Sequence, residues 1–306
     1  MSIAGNRLQR LKKTAILFTA YYWFLKEPKM KKMLLSMLML AAPVVFCGAD
    51  DVINVYYENG SNGSFLIFAD NAAYCPVYIN ITFPVLTNLS ANINLPFELV
   101  IPARTSRFRV LTLNPVNRNN ATRFNYSYTY YFGDPFSAAA DRSFLYLFPY
   151  AEGESFEVIQ GFNGTFSHYN EHQYSIDFKM PVGTAIHAAR AGIVVEIKKD
   201  SNTGGNNRSF WNDANYILVY HSDGTFGSYL HLRHNGVVVT PGQTIAGGQL
   251  IGYSGNTGFS DTPHLHFMVS APQRNSDRVS VPFQFLTSGG RGVVPQKGEY
   301  YRAVYR

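Results

Sequence analysis

Residues 263–269 read Pro263-His264-Leu265-His266-Phe267-Met268-Val269, an apolar run with strand character that carries two histidines two positions apart. Side chains two apart on a strand point to the same face, so both imidazoles converge on one place. Paired imidazoles in apolar company are a metal signal, with zinc the first candidate.

Outward from this run, the region from about Ala151 to the C-terminus repeats its texture. Short strand-like stretches, among them Tyr174-Ser-Ile-Asp-Phe, Gly192-Ile-Val-Val-Glu-Ile, Tyr216-Ile-Leu-Val-Tyr and Gly227-Ser-Tyr-Leu-His-Leu, are punctuated by turns. The turn signals are Pro181-Val-Gly, Ser222-Asp-Gly, Pro241-Gly-Gln and Gly255-Asn-Thr-Gly. Every histidine of the chain lies in this half. From 50 to 150 the sequence is instead dense in aromatic, β-branched and Asn residues, as in Phe65-Leu-Ile-Phe, Val77-Tyr-Ile-Asn-Ile-Thr-Phe and Phe124-Asn-Tyr-Ser-Tyr-Thr-Tyr-Tyr-Phe. Period-two alternation between Asn, Gly and Pro clusters predicts antiparallel strands of an Ig-like β-sandwich. The expectation is an all-β protein. It has an accessory sandwich over 50–150 and a compact antiparallel, chemistry-bearing domain over 151–306.

The net charge of +6 comes from one end. Residues 1–49 carry eight Lys and Arg against Glu27, a net +7, which leaves −1 for residues 50–306. A near-neutral body has no electrostatic footprint for nucleic acid. Met30-Lys31-Lys32, the apolar Met33–Phe46 and the small residues Cys47, Gly48 and Ala49 follow the order of a secretory signal peptide. Met30 is therefore the expected start, with cleavage after Ala49 and export to the periplasm, cell envelope or exterior. The upstream apolar run from Ala15 to Leu25 is too short to span a bilayer comfortably. Loss of Cys47 with the signal would leave Cys75 alone, so no intramolecular disulfide is expected.

Three further residues can complete a metal site with the His264/His266 pair. Asp177 sits between Ile176 and Phe178, where an unpaired charge would be costly to bury. His168 lies on the loop leading into that strand, and His231 occupies a strand position between Leu230 and Leu232. Two histidines and a carboxylate are a common catalytic zinc set with a fourth position for water, and histidines left over can handle protons.

The ordered set Ser167-His168, Tyr174-Ser-Ile-Asp177-Phe, Pro181-Val-Gly-Thr-Ala, Ala191-Gly-Ile-Val-Val, Tyr229-Leu-His231-Leu, Gly247-Gly-Gln-Leu-Ile-Gly, Ser254-Gly-Asn-Thr-Gly and Pro263-His-Leu-His266-Phe resembles the LytM/lysostaphin-type zinc metallopeptidases. The resemblance covers about residues 155–290. It implies one zinc ion per chain held by His168, Asp177 and His266, with His231 and His264 activating water and stabilising the transition state. It also implies a β-structure with the metal at the floor of a groove, and peptidoglycan peptides as substrate.

One feature departs from the family pattern. Many members separate the first ligand from the aspartate by three intervening residues, whereas eight residues separate His168 from Asp177 and four separate His172 from it. Ser-His before a longer loop resembles one branch of the family, which favours His168, while His172 in Asn170-Glu-His-Gln reads as a solvated loop residue. His221 reads as a structural hydrogen-bonder, and His187 and His234 as surface residues. A candidate at all five positions favours an enzyme over a silent relative that binds wall peptides or regulates another wall hydrolase. The accessory region reads as a docking arm or as an inhibitor of the groove.

Overall fold

The computed structural model describes residues 52–305; the expected signal segment, with Met30, Cys47 and the cleavage point after Ala49, lies outside the described residues. Strands dominate throughout. Among the described residues, helical structure is confined to short 3-10 turns at Ser61–Gly63, Asn170–His172 and Arg208–Asp213. No helix among them is long and apolar enough to cross a membrane.

In the first half, two antiparallel sheets share one core. One sheet orders Ile53–Asn59, Phe65–Asn71, Thr105–Pro115 and Leu89–Ala91, and the other Phe97–Ile101, Val77–Thr87 and Arg123–Phe132. Alternation drives the packing: Ile53 and Val55, Ile67 and Ala69, Val77, Ile79 and Ile81, and Leu111 and Leu113 turn inward around Phe124. Asn71 is buried among them, with its amide directed at the carbonyls of Cys75, Ile101 and Pro102 and its Oδ1 accepting from Ala73 N–H. Those contacts offset the cost of placing an amide in an apolar interior. Cys75 is buried and is not part of a disulfide.

The second half is built on an eleven-stranded sheet. Its central path runs Gly192–Lys198, Asn215–Tyr220, Phe226–Val237, His264–Gln273, Ser175–Lys179 and Ser155–Gln160, all antiparallel. One face buries Ile176, Phe178, Ile217, Val219, Tyr229, Leu265, Phe267 and Val269 against Phe148, Tyr150, Phe283 and Phe285. Phe148 stacks on Phe285 with ring centroids 4.5 Å apart. Tyr146, Phe148 and Tyr150, which precede residue 151, belong to this second core.

The opposite face is divided lengthwise. Val195, Leu218 and Phe226 pack into the core of the first half, so the two halves share buried apolar surface. Tyr78 Oη donates to Asn275 Oδ1 at 3.0 Å and Arg274 pairs with Glu98 at 2.7 Å across the same junction. Phe226 pairs with Ser270, and four residues further along the same ladder Leu230 pairs with His266. At about 3.4 Å per residue, the first half therefore covers the sheet face about 14 Å from the histidines.

Candidate metal centre

Strand register brings the two ends of the predicted set together. Asp177 lies directly opposite His266 in the pairing of Ser175–Lys179 with His264–Gln273. Alternation buries Ile176, Phe178, Leu265 and Phe267 on the core face, which leaves Asp177, His264 and His266 on the other. His266 Nδ1 is 2.8 Å from Asp177 Oδ1, and His264 Nε2 is 3.9 Å from the same oxygen.

His168 arrives from a loop rather than from the sheet. Its ring is fully buried, its Nδ1 donates to Gly161 O at 2.8 Å, and its Nε2 lies 3.1 Å from Asp177 Oδ2. A carbonyl accepts only from N–H, so the proton sits on Nδ1 and the Nε2 lone pair faces the carboxylate. That Nε2 is buried and has no hydrogen-bond partner. Single donor atoms of His168, Asp177 and His266 all lie within 4.8 Å of one another. An orphaned imidazole lone pair, a second imidazole and a carboxylate at this separation fit a divalent metal that takes nitrogen and oxygen donors.

His231 reaches the cluster through a break in its strand. Asn215 pairs with Leu232 and Tyr216 with Leu230, so His231 is an extra residue in the ladder, and its φ of 64° is left-handed. Such a bulge re-aims a side chain. Tyr229 and Leu232, three apart, both enter the core, whereas strict alternation would have sent His231 there in place of Leu232. Asn215 Nδ2 and Thr257 Oγ1 donate to Leu232 O, at 3.2 and 2.7 Å, and satisfy a carbonyl beside the bulge. His231 Nδ1 donates to Thr257 O at 2.7 Å and His264 Nδ1 to Thr262 O at 2.7 Å. Both Nε2 atoms then carry lone pairs, and the two ring centroids are 4.5 Å apart.

The electrostatics follow from burial and mutual proximity. Burial alone would raise the Asp177 pKa, but the neighbouring His264 and His266 hold it well below the ordinary carboxylate value. Burial pushes His231 down to about 3, helped by His264 and His266, and lowers His266 as well, against the opposing pull of Asp177. A neutral imidazole is the form that ligates a metal or accepts a proton.

His172 differs from expectation. It is half-buried rather than solvated, packing edge-on to Trp211 at 5.7 Å and lying 6.2 Å from the His266 ring. Burial, with His266 and His168 nearby, lowers its pKa to about 4. The apolar neighbour is Trp211, which lies far along the chain on the Arg208–Asp213 turn. His221 is buried with Nδ1 donating to Ala191 O at 2.9 Å, His234 is exposed and His187 is half-buried.

Residues absent from the sequence-based set also line the site. Gln160 Nε2 donates to Asp177 Oδ2 at 3.0 Å, and Ser260 Oγ lies 3.2 Å from His264 Nδ1. Thr257 could have been found, since it stands in the Gly255-Asn-Thr-Gly turn. A glutamine at a strand end carries no such signal.

The chain matches Peptidase family M23 over residues 171–279, a span that includes Asp177, His231, His264 and His266 and begins three residues after His168. It is 37% identical over 120 residues to lysostaphin of Staphylococcus staphylolyticus, covering 39% of this chain and 23% of that one. It is 33% identical over 108 residues to the peptidoglycan DD-endopeptidase ShyA of Vibrio cholerae, covering 35% of this chain and 22% of that one. The chain thus spans under a quarter of the length of either relative. The solved structure of lysostaphin from Staphylococcus simulans superposes on 38% of this chain and 42% of that one, at 32% identity and a TM-score of 0.29. Residues 171–279 of this chain form a peptidase family M23 domain.

Proposed function

We propose that the protein is an exported zinc metalloendopeptidase that hydrolyses peptide bonds in bacterial peptidoglycan. The observation that carries this reading is the convergence of His168, Asp177 and His266 beside two further histidines whose Nε2 lone pairs are free. The names of the curated relatives, a DD-endopeptidase and lysostaphin among them, supply the substrate class. The order of charged, apolar and small residues over Met30–Ala49 supports export. On this reading residues 151–306 are a LytM-type catalytic unit, and residues 50–150 an Ig-like accessory unit with Tyr146, Phe148 and Tyr150 lent to its partner's core.

In this reading His168 holds zinc through Nε2, His266 through Nδ1 and Asp177 through its carboxylate, all from a buried floor that excludes competing water. When bound, zinc supplies Lewis-acid polarisation of the scissile carbonyl and acidifies water. His231 and His264 present their Nε2 atoms to the same space, each ring fixed by a backbone carbonyl on its Nδ1. One takes the proton of the attacking water at Nε2 and later returns it to the leaving amine, while the other stabilises the developing oxyanion only in the form that has taken up a proton at its own Nε2. Their bonds to Thr257 O and Thr262 O stabilise the imidazolium that forms in that transfer.

The deciding experiment incubates the mature protein with purified sacculi, with and without a chelator, and identifies released termini by mass spectrometry. New amino and carboxyl termini that vanish with the chelator and return on adding zinc are expected. Binding to sacculi with no new termini would leave a silent wall-binding protein instead.

A further inference from the structure

Gln160 closes the Ser155–Gln160 strand, is 8% exposed, and spends both ends of its amide on the candidate centre. Its Nε2 donates to Asp177 Oδ2 at 3.0 Å and to Ser167 Oγ at 2.8 Å. Its Oε1 accepts from the backbone N–H of Phe166 at 3.1 Å and of Ser167 at 3.4 Å. The next residue, Gly161, supplies the carbonyl that takes the His168 Nδ1 proton. Two consecutive residues at one strand end therefore grip the carboxylate of one candidate ligand and the ring of another.

The fold makes this grip specific. Asp177 pairs with Gln160 in the ladder, and a register shift follows at once between Asp177 and Phe178. The loop that carries His168 passes so close that a Cβ on Gly164 would lie 2.3 Å from Gln160 Cγ. Eight residues separate His168 from Asp177, too many for local backbone geometry to hold one against the other. A loop of that length keeps more conformational freedom than a single strand turn, and ordering it costs free energy. An amide that bonds loop and carboxylate at once removes that freedom in both.

We propose that Gln160 is a positioning residue for the metal centre. It fixes the plane of the Asp177 carboxylate through Oδ2 and clamps the Phe166-Ser167 backbone, so that His168 Nε2 and Asp177 arrive in register. This inference rests on the reading of the cluster as a metal site.

The test compares full-length wild type with Gln160→Ala and Gln160→Met, the latter retaining side-chain volume without a donor. Zinc affinity is measured by competition with a chromophoric chelator, and the ligand field by visible absorption of the cobalt-substituted protein. Removing a group that orients a ligand weakens metal binding by roughly 10- to 100-fold, and both variants are expected to show this with an altered cobalt spectrum. Ile79→Ala, buried in the distant core, serves as a destabilised control and is expected to keep wild-type affinity and spectrum. Wild-type affinity and spectrum in Gln160→Met would overturn the inference even if Gln160→Ala were impaired, because packing alone would then account for the loss. A wild-type protein that binds no zinc would overturn the metal reading itself, and this inference with it.

Discussion

The two halves of the molecule bury different things. The first encloses an almost wholly apolar interior, in which Asn71 is a buried polar side chain satisfied by three nearby carbonyls and Ala73 N–H. The second has such an interior on one face of its sheet, yet on the other it buries His168, Asp177, His231, His264 and His266 side by side. An apolar core asks only for the right alternation and volume. A buried titratable cluster must also find a hydrogen-bond partner for each ring. Here the partners are Gly161 O on one loop and, far along the chain, Thr257 O and Thr262 O on the segment that leads into the His264–Gln273 strand. Among the described residues, dense polar burial is thus confined to the half that carries the candidate metal centre.

Mutations should break that contrast in a graded way. His266→Ala removes one of the three converging donors, and with it several kcal/mol of transition-state stabilisation. Zinc content by elemental analysis should fall to background, and sacculus hydrolysis by about 10⁴-fold, while the first half keeps its fold. Deleting residues 52–132 should strip cover from Val195, Leu218 and Phe226. At roughly 1.5–3 kcal/mol per side chain returned to water, thermal unfolding of the remainder should show a loss of about 5 kcal/mol. A deletion variant that stays as stable as the full chain and becomes more active would mark the first half as an inhibitor rather than a structural partner.

His231→Ala should keep zinc and lose about 10³-fold in turnover, the range expected for a proton-transferring group. Full activity in that variant would remove His231 from the mechanism. The smallest effect belongs to the apolar half: Ile79→Val should cost about 1 kcal/mol in denaturant unfolding and leave hydrolysis unchanged. Any large change in activity from Ile79→Val would show that the halves are coupled more tightly than a shared apolar contact implies.

Legibility from sequence follows the same division. The strands at Phe65–Asn71, Val77–Thr87 and Arg123–Phe132 were readable because alternation and β-branched or aromatic content are local properties. The shared face of His264 and His266, and that of Asp177 opposite Ile176 and Phe178, were readable for the same reason, since each follows from a period of two within one strand. The register that joins the two strands does not follow from it. Tyr146, Phe148 and Tyr150 read as the end of the accessory region because no local signal says which of two apolar cores will take an aromatic residue. Trp211, by contrast, changes the environment of His172 only because distant loops meet.

By itself, then, the sequence determined the all-β character, the strand faces and the residue types available to a metal. Tertiary structure decided which of them meet. His231 turns toward His264 because an inserted residue with left-handed backbone interrupts its ladder, and a bulge depends on the register of the partner strand. His168 rather than His172 lies with its Nε2 at Asp177 because Gly161 and Gln160, from a neighbouring strand, hold the loop there. Periodicity is written along the chain, but the register of a bulge and the seating of a loop are set by atoms that only the folded structure brings within hydrogen-bonding distance.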